Sequence, residues 1–335
     1  MILEKKKCLW GEKNCPLKKK NKKIKRENNF YERYINNHFK NRLSKIKSKS
    51  CIKCGIVIND SWFNPETSYK IFNSVYAQHH RGWKNYYEFK EKNKANNHQG
   101  IIKKISNIIK IKKYSEFNCP FQGNFFSFLE QDQHKKNIKK LLNLTNKRIQ
   151  LTQLANKPSR FFEANYKKQS KINKQIKELK NNNKSKLEKF LILDHSSSSW
   201  GDGCVSESTN CRSVAQEIFD VKMLNINEIE KKKLNFDLFS FFNTIDHTLK
   251  PKKILDFALD NSKIVLIENH SMEEVNMQHL FSIQKNFLQY LNKNKIYTFP
   301  ILNQQNKLEK DKIFFLCTKS KKIEKIIKKN ILIFK

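Results

Sequence analysis

An α/β fold, a mostly parallel sheet with helices on both faces, is what this 335-residue sequence predicts, and three observations predict it. Short apolar runs suited to buried strands alternate with amphipathic stretches of helical period beyond residue 185. Those runs are apolar almost throughout, as strands covered on both faces are. Polar residues gather directly after them, where open parallel sheets bind their ligands.

The elements follow in order. Residues 1–60 form a cysteine-bearing segment interrupted by the basic run Lys18–Arg26. Residues 61–184 read as a mixed helical middle region, rich in aromatics from Trp62 to Tyr87. A helix over roughly Glu163 to Asn181 leads into the polar run 181–185, which predicts a domain boundary. Residues 185–320 carry the alternating pattern. Strands are expected at Phe190–Leu193, Phe236–Phe242, Lys263–Ile267 and Ile313–Cys317. Helices are expected at Cys211–Phe219, Pro251–Leu259 and Ile283–Leu291, the last with Ser282 as its cap. Residues 321–335 read as a basic tail.

Composition bounds the function. With 38% hydrophobic and 30% charged residues the chain can bury a core, so wholesale disorder is excluded. No apolar run approaches a membrane span, and the charged start does not read as a secretory signal. A cytoplasmic protein is therefore expected, with no membrane partner. The 68 Lys and Arg against 31 Asp and Glu give a formal charge of +37. Lysine spreads along the whole chain, as AT-rich coding drift and solvated helix faces would have it. An anionic small-molecule substrate fits that charge better than nucleic acid, although a basic, RNA-binding ribbon is the alternative.

Cys51-Ile-Lys-Cys54-Gly55 is a knuckle whose spacing lets two thiolates reach one tetrahedral ion, with a glycine for the tight turn. Cys8 and Cys15 lie upstream at a looser spacing. The four sulfurs predict a structural zinc site, since an all-thiolate set leaves no open catalytic position.

Leu191-Ile-Leu-Asp194, followed by the small-residue loop Ser196–Ser199 and Gly201, resembles the opening of a class I S-adenosylmethionine-dependent methyltransferase. Phe236–Asn243 with Thr244-Ile-Asp-His247 resembles that family's fourth strand and acidic-His motif, and Gln278-His-Leu-Phe-Ser282 its late segment. With a cysteine ribbon ahead of it, the chain resembles the zinc-containing members that methylate carbon atoms of nucleotide-linked deoxysugars. The resemblance implies a Rossmann-like domain whose cofactor, S-adenosylmethionine, is held by Asp194, Ser196, Ser198, Gly201 and Asn243. Glu207 would hold the ribose if Gly203–Glu207 is the second strand, with Glu217 as the rival. Serines stand where the family carries glycines, so the loop has less room and less access to positive φ.

The same resemblance makes His279 the base and Gln278 its orienting partner. A glutamine cannot stabilise an imidazolium as a carboxylate would, which favours methyl transfer to oxygen or nitrogen over carbon. His247 reads as a framework residue and Glu268 as a cleft-lining group. His79 and His80 stand where the family contacts substrate. A methyltransferase-like protein that has lost its cofactor is the competing reading.

Overall fold

The computed structural model describes residues 2–4, 8–10, 17–19, 48–59, 61–63, 92–117, scattered helical positions between 140 and 151, and 162–181, 187–193, 221–229, 234–248, 250–271, 279–301 and 312–330. Short strands come first: β1 (Ile2–Glu4), β2 (Leu17–Lys19), β3 (Ser48–Cys51), β4 (Ile56–Asn59) and β5 (Ser61–Phe63). Then follow α1 (Lys92–Ile108), β6 (Lys113–Phe117), α2 (Phe162–Asn181), β7 (Glu188–Leu193), β8 (Val221–Asn225) and α3 (Ile226–Ile229). The remainder is β9 (Phe236–Phe242), a 3-10 turn at Ile245–His247, α4 (Pro251–Asp260), β10 (Ser262–His270), β11 (Phe281–Ile283), α5 (Asn286–Lys293), β12 (Tyr297–Pro300), β13 (Lys312–Thr318) and α6 (Lys321–Lys329).

Seven strands form one sheet in the order β12-β13-β10-β9-β6-β7-β8. Neighbours from β8 to β10 are parallel, and β13 runs antiparallel to both β10 and β12. The expected mostly parallel sheet is therefore present. Successive residues of its strands pack into opposite cores. Phe190, Ile192, Phe239, Phe241, Val265 and Ile267 join Leu255, Phe257 and Phe287 of α4 and α5. Leu191, Leu193, Leu238, Phe242, Ile264 and Leu266 join Ile102 and Ile105 of α1, Ile176 of α2 and Ile323 and Ile327 of α6. Period-2 strands sandwiched between helices have to be apolar on both faces, which is why these segments read as continuous runs.

Two expectations are corrected. The run Phe190–Leu193 is not the first strand of the sheet, because β6 precedes it in sequence and lies beside it. The sheet nevertheless takes an interior strand, β6, from before the expected boundary at 181–185, out of the region read as helical. Strand β6 escapes a search for apolar runs because its sequence is Lys-Tyr-Ser-Glu-Phe. Ser115 and Glu116 are nevertheless fully buried. The Tyr114 hydroxyl donates to Glu116 Oε2 at 2.8 Å and lies 2.6 Å from Ser240 Oγ on β9, so the glutamate's polarity is met inside the sheet.

The C-terminal end differs as well. Residues expected as a basic tail form α6, because Ile323 and Ile327 share a face one turn apart and bury it against the sheet. Ser320 caps the helix, its Oγ accepting from the Ile323 amide at 3.3 Å. Ser320→Ala is expected to cost about 1 kcal/mol, read as a small drop in urea midpoint at unchanged m-value. The helix expected at Ile283–Leu291 begins at Asn286, with Ser282 inside β11 rather than capping it. The backbone is claimed there by pairing with β4. The helix expected at Cys211–Phe219 lies outside the described residues.

That β4–β11 pairing has a structural consequence. Strands β2, β3 and β4 of the cysteine segment form an antiparallel sheet completed by β11, from near the other end of the chain. Trp10 packs between Phe281 and Phe287, with ring centroids 5.8 and 5.1 Å away. The cysteine segment is thereby docked on the same core as α4 and α5. Among the described residues, no helix is long and apolar enough to cross a membrane.

Candidate functional site

The chain winds outward through β6, β7 and β8, then returns to the other side of β6 with β9 and β10. Open α/β sheets bind ligands beyond the carboxyl ends of their strands at such a reversal. Three polar groupings are described at or beside that part of the molecule.

The first follows β9 and β10. Asp246 is fully buried in the 3-10 turn after β9, His270 ends β10, and His279 directly precedes β11. His270 Nδ1 hydrogen-bonds Asp246 Oδ2 at 2.8 Å. His279 Nδ1 lies 2.9 Å from the same oxygen without the alignment of a hydrogen bond. The two imidazole centroids are 3.9 Å apart, and His247 packs 4.7 Å from His279. Main-chain bonds hold the turn and the histidine in place. Leu280 N donates to Asp246 O at 2.8 Å, and Asn59 Nδ2 of β4 donates to His279 O at 3.2 Å. Burial alone would raise the Asp246 carboxyl, but the His279 and His247 imidazoles outweigh it and hold it well below the usual carboxylate range. Burial, with neighbouring His270, lowers His279 against the pull of Asp246.

The second grouping centres on Glu268 of β10. His98 Nε2 of α1 lies 2.8 Å from its Oε2, Asn243 Nδ2 donates to the same oxygen at 2.9 Å, and Lys312 Nζ of β13 donates to Oε1 at 2.7 Å. His98 stacks on Phe242 at 4.1 Å. Burial would raise this carboxyl, yet His98 and Lys312 bring it down to about 2. Glu268 is therefore not the open cleft-lining acid expected but the centre of a buried network. Asn243, expected to touch the cofactor, sits just past β9 at φ +52°, a conformation asparagine tolerates. Its Oδ1 is buried with no hydrogen-bond partner.

The third grouping is the cysteine knuckle. The Sγ atoms of Cys8, Cys51 and Cys54 lie within 4.8 Å of one another, with Cys8 Sγ 3.4 Å from Cys54 Sγ. Cys54 N donates to Cys51 Sγ at 3.4 Å, and Gly55 turns at φ +70° with its amide on the Cys51 carbonyl at 2.9 Å. The Cys8 contact, followed by burial, pushes the Cys54 thiol far above its ordinary value. Thiols that press together in this way suit an ion that would take up their charge as thiolates.

The expected residues divide accordingly. The structure brings Cys8, Cys51 and Cys54 together, and places His279 beside a carboxylate that the sequence reading had sought at position 278. That carboxylate comes from Asp246, 33 positions earlier in the chain. Cys15, Asp194, Ser196, Ser198, Gly201, Glu207, Glu217, Gln278, His79 and His80 lie outside the described residues. Sequence reasoning missed the pairings of His98 and Lys312 with Glu268 and of His270 with Asp246. Only the motif around Asp246 and the polar stretch after Ile267 had drawn notice.

No family model and no curated protein matches the sequence. Among solved structures, similarity is found to the methyltransferase domain of bacterial CtHen1, at 10% identity and TM-score 0.35, over 66% of this chain and 97% of that one. The N-terminal domain of EvdMO1, solved with SAH bound, overlaps at 7% identity and TM-score 0.35, over 67% of this chain and 79% of that one. An O-methyltransferase family protein from Burkholderia thailandensis does so at 5% identity and TM-score 0.35, over 75% of this chain and 59% of that one. Overlaps this loose carry no functional argument, and the account of the fold rests on strand order and direction.

Proposed function

We propose that the protein is an S-adenosylmethionine-dependent methyltransferase acting on a small anionic, carbohydrate-containing acceptor such as a nucleotide-linked sugar. One observation carries this reading: the sheet reverses its winding at β6, with an acidic-His cluster at the carboxyl ends of β9 and β10. The resemblance of residues 187–320 to the methyltransferases points the same way.

With the strands in this order, we infer a different set of cofactor contacts. With β6 as the innermost strand, the sequence that follows it, from Asn118 and including Gly123, would take the part first given to Ser196–Gly201. Strand β7 becomes the second strand, and the acid that follows it in sequence, Asp194, takes the ribose role first given to Glu207. The reaction is an in-line displacement. An acceptor lone pair forms the bond to the methyl carbon as the carbon–sulfur bond breaks, leaving a neutral thioether. The acceptor proton leaves toward the cluster of Asp246, His270 and His279. A structural zinc on the cysteine knuckle, with Cys15 as its fourth ligand, belongs to the same proposal.

Calorimetric titration tests it. S-adenosylmethionine or its demethylated product is expected to bind with micromolar affinity, and Asp194→Ala to weaken binding by about a hundredfold or more, since two hydrogen bonds to a charged acceptor are lost. Undetectable heat with both ligands in the folded wild-type protein would leave the non-catalytic reading in its place.

A further inference from the structure

We propose that Asp246, His270 and His279 form a binding site for a divalent first-row transition cation, distinct from the cysteine knuckle. Each side chain contributes one ligand atom, and these atoms all lie within 4.8 Å of one another. Asp246 Oδ2 lies 2.8 Å from His270 Nδ1 and 2.9 Å from His279 Nδ1. Ligands about 2.05 Å from one ion and at right angles to each other are about 2.9 Å apart. Both distances are thus those of neighbouring ligands on one ion, with the two histidine nitrogens within 4.8 Å of each other, a set of two histidines and a carboxylate.

Hydrogen bonding alone accounts for the cluster less well. It leaves Asp246 Oδ1 buried without a hydrogen bond, and His279 Nδ1 meets Asp246 Oδ2 at 2.9 Å without hydrogen-bond alignment. A cation on the shared face would take up the His279 lone pair and draw on the second carboxylate oxygen. His270 is 20% exposed on its side chain, which opens an entry path on one side and leaves coordination positions for water or an acceptor oxygen. The outer groups needed to fix the ligands are also in place. Asn59 holds the His279 carbonyl, Leu280 holds the Asp246 carbonyl, and His247 Nε2 lies 3.8 Å from Asp246 Oδ1.

The mixed oxygen and nitrogen set selects Mn2+, Fe2+, Co2+ or Zn2+ over Mg2+ and Ca2+, which prefer oxygen alone. Cation binding stands independently of methyl transfer. What the cation would do rests on the proposed function: it would hold an acceptor oxygen and lower its pKa, so that the proton would pass to water in place of the cluster whose ligand atoms the cation occupies.

Mn2+ is the probe, because it avoids thiolates and is seen directly by electron paramagnetic resonance. The full chain, stripped with chelator, is titrated with Mn2+ while the free-ion signal is followed. One bound ion per chain is expected, with nitrogen couplings from two imidazoles in the echo-modulation spectrum. His270→Gln, at a partly exposed position, is expected to weaken binding roughly tenfold or more and to leave a single imidazole coupling. Asp246→Asn should abolish binding. No bound Mn2+ below about 1 mM, or bound Mn2+ without nitrogen coupling in wild type, overturns the proposal whether or not the variants fold. Unchanged couplings in folded His270→Gln overturn it too. The demethylated product, titrated into the same sample, separates the two ideas: nucleoside binding without Mn2+ removes only the cation, and Mn2+ without nucleoside binding removes only the methyltransferase reading.

Discussion

Gly55→Ala is expected to lower stability by about 3 kcal/mol or more, through two independent causes. The residue turns at φ +70°, where a Cβ costs roughly 1–2 kcal/mol. That Cβ would also stand 2.2 Å from Asn286 Oδ1 and 2.7 Å from the Phe287 amide nitrogen at the start of α5. The asparagine tip could swing aside, but the main-chain nitrogen could not without moving the helix. A strained contact of that kind adds about 1–3 kcal/mol. The Gly55 carbonyl accepts from the Gln284 amide at 2.9 Å, so displacement would also pull on the β4–β11 join. Urea denaturation of the single variant and of Gly55→Ala with Asn286→Ala provides the check. Partial recovery in the double variant is expected. Full recovery would show that the side chain alone was in the way, and no loss in the single variant would contradict the close approach itself.

The second large effect is expected at Glu268. Its carboxylate serves His98, Asn243 and Lys312 together, and its pKa of about 2 against an ordinary 4.5 is worth on the order of 3 kcal/mol. The sign follows from the depressed value. That stabilisation is complete above the unfolded pKa of 4.5 and is lost as the pH falls through 2. Glu268→Gln should therefore be less stable than wild type by about 3 kcal/mol at pH 6. The gap should shrink by about 2 kcal/mol by pH 3, because the amide does not titrate. Other carboxylates titrate in both proteins and cancel in the difference. A gap that stays constant over this range would mean that Glu268 is not held ionised by its neighbours. Glu268→Ala is the harsher variant. It would leave Lys312 facing a vacated polar site and cost about 3–5 kcal/mol.

Both effects arise from contacts between segments far apart in the chain, and the limits of the sequence lie there. Gly55 was legible as a turn residue from the knuckle spacing. Its closeness to α5 was not, because nothing local to either segment signals the other. Glu268 was legible as a polar residue at a strand end, whereas His98 comes from a helix 170 positions earlier. His279 was legible through its resemblance to a catalytic position, with a glutamine before it in place of an acid. The folded chain supplies the acid from the turn after β9.

The sequence by itself determined the strands whose side chains are apolar on both faces, β7, β9, β10 and β13, and the helix α4 that follows Pro251. A strand buried on two sides has to be written in continuous hydrophobic residues, so its identity is local information. Only the tertiary structure decided that Lys113–Phe117 lies inside the sheet, since its buried Glu116 and Tyr114 and the Ser115 carbonyl belong to a network that includes Ser240 of β9. It also decided that the cysteine sheet is closed by β11, that the last basic stretch is a docked helix, and that two histidines, one ending β10 and one before β11, converge on one oxygen of Asp246's carboxylate. Apolar burial is encoded position by position, whereas a polar group inside a protein is explained by its partner, and the partner's place is fixed only when the chain has folded.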